Sequence, residues 1–132
     1  MKIVVLKFGG TSVGTIEKIK KVTDIIIEHK KKKNKVIVVS SAMSGVTNDL
    51  IKKSKQISNN FIDSEYDVLV SSGEQVACSL IAGRLNHKGF KSRSWLGWQI
   101  PIFTNGPNTN SRIQQVNKNK LLRFLKEGGI PI

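Results

Sequence analysis

The opening of the chain sets the fold. A short apolar run, Ile3 to Lys7, is followed by Gly9-Gly10, then by Ile16, Ile19, Val22 and Ile26 at helical spacing, then by the continuous β-branched run Val36-Ile37-Val38-Val39. A strand with one wet face alternates apolar and polar residues, whereas an unbroken apolar run is buried on both faces, as in a parallel sheet flanked by helices. Strand, helix and buried strand make one βαβ unit, whose right-handed crossover lays the helix on the sheet. Thr15 is placed to cap that helix, and the lysines Lys30 to Lys33 with Asn34 mark its end. The expected class is α/β, with a mostly parallel sheet and helices on both faces.

Later segments continue the alternation. After the small-residue loop Ser40 to Gly45, Thr47 is expected to cap a helix carrying Leu50, Ile51, Ser54 and Ile57, ended by Ser58-Asn59-Asn60. Tyr66, Val68 and Leu69 predict a short helix, and a separate one starts at Gly73 with Val76, Leu80, Ile81 and Leu85, stopped by Gly89. Phe90 to Leu96 reads as a third strand. Pro101 makes Trp98 to Phe103 an edge segment or extended loop, and Asn105-Gly106-Pro107 turns the chain. A last helix is expected over Val116 to Lys126, with Leu121, Phe124 and Leu125 on one face and Gly128-Gly129 behind it. Ile130-Pro131-Ile132 then opens another strand, so the sheet is expected to be partial, an α/β/α sandwich that is truncated. There is no internal repeat or linker, and one domain is expected.

Composition narrows the classes. A chain of 132 residues can bury a core without disulfides, and Cys78, the only cysteine, cannot pair within the chain. Cys78 falls in an apolar helical pattern and reads as a small packed residue rather than a nucleophile. His29 and His87 are far apart and each sits near an expected helix end, so no metal site is expected from them. No apolar run approaches the roughly 20 residues that span a bilayer, and the four-residue apolar start is too short for a signal peptide. A cytoplasmic protein is expected. The net charge of +13 raises a nucleic-acid hypothesis. Most of that charge is lysine, concentrated where a helix ends, with four arginines and no basic surface interleaved with aromatics, so a solvated basic surface is the preferred reading.

Three stretches could carry chemistry. Gly9-Gly10 directly after a strand, with Lys7 before and Thr11-Ser12 after, suits phosphate: glycines let N–H groups approach an anion and the lysine adds a mobile charge. It matches neither G-x-x-x-x-G-K-[ST] nor G-x-G-x-x-G, and a plain tight turn is equally compatible. Ser40, Ser41, Ser44 and Thr47 gather hydroxyls at a strand's carboxyl end, where open α/β sheets bind ligands, although a helix cap alone accounts for Thr47. Ser71-Ser72-Gly73-Glu74-Gln75 places a carboxylate in a first helical turn, where the dipole favours it. Such a glutamate is commonplace, and an amino-acid ammonium is only one of its possible partners.

Taken in order, these stretches resemble the aspartate kinase family. Lys7-Phe8-Gly9-Gly10-Thr11-Ser12-Val13 matches that family's opening signature and differs from the openings of uridylate and acetylglutamate kinases. Val38 to Thr47 is similar to its second loop, Ser71 to Gln75 to its third, Gly97-Trp98-Gln99 to its Gly-Trp-Gln, and Arg112-Ile113 to its Arg-Ile pair. The resemblance implies transfer of the γ-phosphoryl group of ATP, with magnesium carried on the nucleotide, to the β-carboxylate of L-aspartate. That is the committing step toward lysine, diaminopimelate, threonine and methionine. It implies that Lys7 is catalytic, that Lys7, Phe8, Gly9, Gly10, Ser12 and Ser41 serve ATP and its phosphates, and that Thr47 and Glu74 bind aspartate, with no protein metal ligand. Ser44 departs from the frequent family glycine, which is tolerated if the position does not need positive φ. The resemblance also implies that residues 1–132 form the amino-terminal lobe of an amino-acid kinase domain, without the carboxyl half or the ACT regulatory domains. Little activity is then expected of the chain alone, unless a homo-oligomer or a complementing carboxyl-terminal segment finishes the site. A non-catalytic aspartate-binding module and a basic nucleic-acid-binding domain are the alternatives.

Overall fold

A computed structural model describes residues 2–132. Strand β1 (Ile3–Phe8) and strand β2 (Lys35–Ser40) pair in parallel, from Ile3 opposite Lys35 to Phe8 opposite Ser40, joined by helix α1 (Ile16–Lys31) as the βαβ pattern requires. Alternation along the strands turns Leu6, Phe8, Val36 and Val38 to one face. There they pack with Ile19, Val22 and Ile26 of α1 in the main core. Thr15 caps α1, its hydroxyl accepting from the Lys18 N–H at 3.2 Å. Thr15→Ala is expected to cost about 1 kcal/mol, read as a lower urea midpoint at unchanged slope. His29, Lys30 and Lys31 fill the last turn of α1, and Lys33 takes a left-handed φ of 61° before β2.

Helix α2 (Val46–Ile57) corrects the expected cap. Gly45, at φ 84°, is the N-cap, and Thr47 lies inside the first turn. The Val46 N–H already bonds to the Met43 carbonyl at 3.1 Å and the Asp49 N–H to that of Gly45 at 3.0 Å, so the helix closes before Thr47 can cap it.

The two short helices expected around Ser71 to Gly73 are one, α3 (Asp63–His87). Gly73 lies in its middle. The Ser71 and Ser72 hydroxyls donate back to the carbonyls of Val68 (3.1 Å) and Leu69 (2.6 Å), which keeps these polar groups bonded inside the helix. Ile81, Ala82 and Leu85 of α3 complete the main core. Arg84 ties α3 to α1 by donating to the buried Thr23 hydroxyl and pairing with Asp24 at 3.0 Å.

The third strand is shorter than expected. Only Ser92–Arg93 (β3) forms a strand, parallel to β6 (Ile130–Pro131), whose opening the sequence announced. Asn86 bonds both the N–H (3.1 Å) and the carbonyl (2.9 Å) of Ser92, occupying that strand edge with a side chain. Of the expected edge segment or loop, residues 98–101 form a turn, while Ile102 and Phe103, with the first residue of the expected last helix, enter an antiparallel hairpin, β4 (Ile102–Asn105) with β5 (Arg112–Val116). Its tip is fixed to α3 by Asp67, which accepts from Asn108 (2.8 Å) and the Thr109 N–H (3.2 Å). Helix α4 (Asn119–Lys126) therefore starts later, with Leu125 buried, and lies against β6 and β2. Leu121 of α4 shares a cavity with Ile37 and Val39, on the face of β2 opposite Val36 and Val38, which places helices on both sides. Ile3 and Val5 on that second face remain half-exposed. No helix among the described residues is long and apolar enough to cross a membrane.

Candidate active site

The glycine turn and the β2–α2 loop meet at the carboxyl ends of β1 and β2. Lys7 stands opposite Val39, and the Ser41 N–H extends the ladder to the Phe8 carbonyl at 3.1 Å. Alternation directs Lys7 to the exposed face with Ile3 and Val5. Beyond Phe8 the chain makes two overlapping turns, Ser12 N–H to Gly9 carbonyl (2.9 Å) and Val13 N–H to Gly10 carbonyl (3.3 Å). Among the described residues the N–H groups of Gly9, Gly10 and Thr11 donate to no backbone carbonyl outside the regular elements. Such a run of open donors is what an anion needs. Lys18 fixes the outer side of the turn by donating to the Thr11 carbonyl at 2.9 Å.

The second loop reaches the first and also reaches α3. A Cβ on Gly10 would stand 3.0 Å from the Ala42 carbonyl oxygen, and one on Gly14 would stand 3.0 Å from the Ser44 Cβ, so the two loops touch. Ser44 takes no positive φ, so the position does not require glycine. Ala42 is buried, and its N–H donates to Glu74 Oε1 at 3.3 Å. Glu74 thus sits in the middle of α3 rather than in a first turn, so the expected help from the helix dipole does not apply to it. What gives this carboxylate a partner is the amide of the neighbouring loop.

Of the residues singled out from sequence, Gly10 and Glu74 meet at Ala42 and Ser41 bonds the end of β1 through its N–H, while Lys7 and Gly9 flank Phe8 in the chain. The Phe8 side chain packs against the main core, leaving its backbone at the site, and Ser12 lies on the α1 side beside Lys18 and Lys21. Thr47, partly buried, stands in the first turn of α2, whose Val46 lies near Gly73. Ala42 and Gly73 also meet here, and the small side chain of Ala42 carries no chemical signature in the sequence.

Next to the site, between β2, α3, the Trp95–Trp98 segment and β6, lies a largely apolar cavity of 390 Å³, with Ser40, Ser71, Glu74 and Cys78 along one wall. Burial, and secondarily the Glu74 charge, push the Cys78 thiol above its ordinary pKa. Less thiolate is then present at pH 8 than in a free cysteine. Iodoacetamide is expected to label Cys78 several-fold more slowly than a small thiol at pH 8, with the rate rising at higher pH, and Glu74→Gln is expected to recover part of the difference. Mass spectrometry of the single cysteine reads this directly.

Residues 2–132 match the sequence profile described as the amino acid kinase family. The chain belongs to that family. Within it, the chain is 46% identical over 132 residues to an aspartokinase of Geobacillus stearothermophilus, covering all of this chain and 32% of the relative. A Rickettsia conorii aspartokinase is 42% identical over 135 residues, again matching the whole chain and 34% of the relative. This amino acid kinase chain therefore spans about a third of the length of the curated relatives it matches. Among solved structures, the aspartate kinase from Synechocystis superposes with a TM-score of 0.84 at 34% identity, over 98% of this chain and 21% of that one. E. coli aspartokinase III in complex with aspartate and ADP superposes at 0.80 and 20% identity, over 99% of this chain and 40% of that one, a likeness of fold. The α/β architecture agrees with both.

Proposed function

We propose that this chain is the amino-terminal lobe of an aspartate kinase, contributing the phosphate turn and the acceptor-binding loops for ATP + L-aspartate → ADP + 4-phospho-L-aspartate. The observation carrying this is the juxtaposition of an open run of amides after β1 with a loop bonded to Glu74, both at one end of a parallel sheet. The similarity to aspartokinases along the whole of this chain, and the aspartate and ADP held by the E. coli neighbour, support it.

In this reading Lys7 balances charge on the phosphoryl group in flight, while the amides of Gly9 and Gly10 and the Ser12 hydroxyl donate to phosphate oxygens. Phe8 contributes through its backbone. Ser41 faces the nucleotide, Thr47 holds the aspartate, and Glu74 takes its ammonium. Transfer between two anions needs positioning and charge compensation more than covalent help, and these residue types supply both. Magnesium enters on ATP, bound by phosphate oxygens. The reaction would serve the cytoplasmic synthesis of lysine, diaminopimelate, threonine and methionine.

Because the relatives are about three times longer, catalysis is assigned to this lobe together with the remaining segment of such a protein. Aspartyl-hydroxamate formation from ATP, magnesium, aspartate and hydroxylamine tests this. The chain alone is expected to stay at background and to gain turnover when mixed with the carboxyl-terminal two-thirds of the Geobacillus relative. Lys7-dependent turnover by the chain alone would overturn the half-site assignment. Absence of aspartate binding in calorimetry, with or without the added segment, would overturn the acceptor assignment.

A further inference from the structure

The β2–α2 loop is held from two sides at one residue. On one side a Cβ added to Gly10 would come within 3.0 Å of the Ala42 carbonyl oxygen, a backbone atom that cannot swing away. On the other, a Cβ added to Gly73 would meet the Ala42 Cβ at 3.0 Å and Val46 Cγ1 at 3.1 Å. The Glu74 carboxylate then bonds the Ala42 N–H at 3.3 Å. Contrast Gly83, also on α3, where an added Cβ would meet nothing within 4 Å. Glycine in a helix interior is unfavourable relative to alanine, so space alone distinguishes the two positions.

We infer that Ala42 is a positioning residue, a spacer one methyl group thick that sets the separation of the glycine turn from α3 and hence from Glu74. Close-packed contacts transmit displacements of a few tenths of an ångström because they have no slack. A methyl added at position 73 must push Ala42, and Ala42 bears directly on Gly10. The glycine turn and the residue proposed for the acceptor are thereby locked together by steric contact, without a hydrogen bond between them. This rests on the reading of the turn as the phosphate end only for its functional meaning; the contact chain stands on the distances.

The test compares ¹⁵N–¹H spectra of the ligand-free chain, with folding checked by circular dichroism. Gly73→Ala is expected to move the amide resonances of Gly9, Gly10 and Ser12, whereas Gly83→Ala leaves them in place and has a melting temperature at or above that of the parent. Transferring the methyl across the contact, Ala42→Gly with Gly73→Ala, is expected to return the turn resonances toward their original positions. A merely structural role for Gly73 would lower stability without this remote shift or its rescue. Turn resonances unmoved by Gly73→Ala, or moved and not restored by the exchange, overturn the inference. If Gly73→Ala does not fold, Ala42→Gly alone decides: removing the spacer is expected to shift the same three amides, and their constancy overturns it. ATP added to the parent chain separately reads the functional proposal, since turn amides that ignore ATP count against that reading and leave the ligand-free comparison intact.

Discussion

Lys7→Ala is expected to lower aspartyl-hydroxamate formation by roughly 100- to 1,000-fold in this chain complemented by a carboxyl-terminal aspartokinase segment, the range typical for loss of one preorganised charge-stabilising group. The side chain is exposed at the end of β1, on the face away from the main core, so its truncation removes little packing. Stability is expected to change by no more than about 0.5 kcal/mol, as at other exposed positions free of special contacts. Lys7→Arg is not a neutral control, because a planar fork cannot occupy the place of a compact ammonium. A loss confined to kcat would assign Lys7 to the transition state, and a loss confined to KM would reduce it to a nucleotide anchor.

The opposite behaviour is expected at Leu85. This side chain is fully buried where α3 meets α1 and β2, and Leu85→Ala removes methyl groups from a packed core, at a cost of about 2–5 kcal/mol. Against a total stability of about 5–15 kcal/mol for a domain of ordinary size, that is enough to populate the unfolded chain at moderate temperature. Urea titration by circular dichroism measures it. Val39→Ala, half-exposed on the second face of the sheet, is expected to cost far less under the same conditions. Together, Lys7 and Leu85 separate what the site needs from what the fold needs.

Which features could be read from sequence depended on whether the interaction was local. The βαβ opening was legible because period, cap and glycine turn all pointed the same way, and Thr15, Val36 and Val38 took the expected roles. The continuity of α3 was not legible, because Ser71-Ser72-Gly73 has the composition of a helix boundary, while the close approach that suits glycine at position 73 is to Ala42 and Val46, distant in sequence. Thr47 failed as a cap for a similar reason, since the Met43 carbonyl had already closed the turn. The hairpin was obscured by Pro101 and by a register shift between Phe103 and Thr104, which break the alternation that marks a strand. At the candidate site, the motifs drew attention to the two loops and to Glu74, which the structure brings together at Ala42. The contacts that join those motifs lie in residues too small to draw attention.

Helix α3 has 25 residues, roughly 38 Å of rigid rod at 1.5 Å per residue. Near one end Asp67 grips the tip of the β4–β5 hairpin, near the other Asn86 grips β3, and between them Gly73 rests on Ala42. One helix therefore ties the hairpin, the β2–α2 loop and the third strand to a single element, so a change that loosens α3 is felt at all three places.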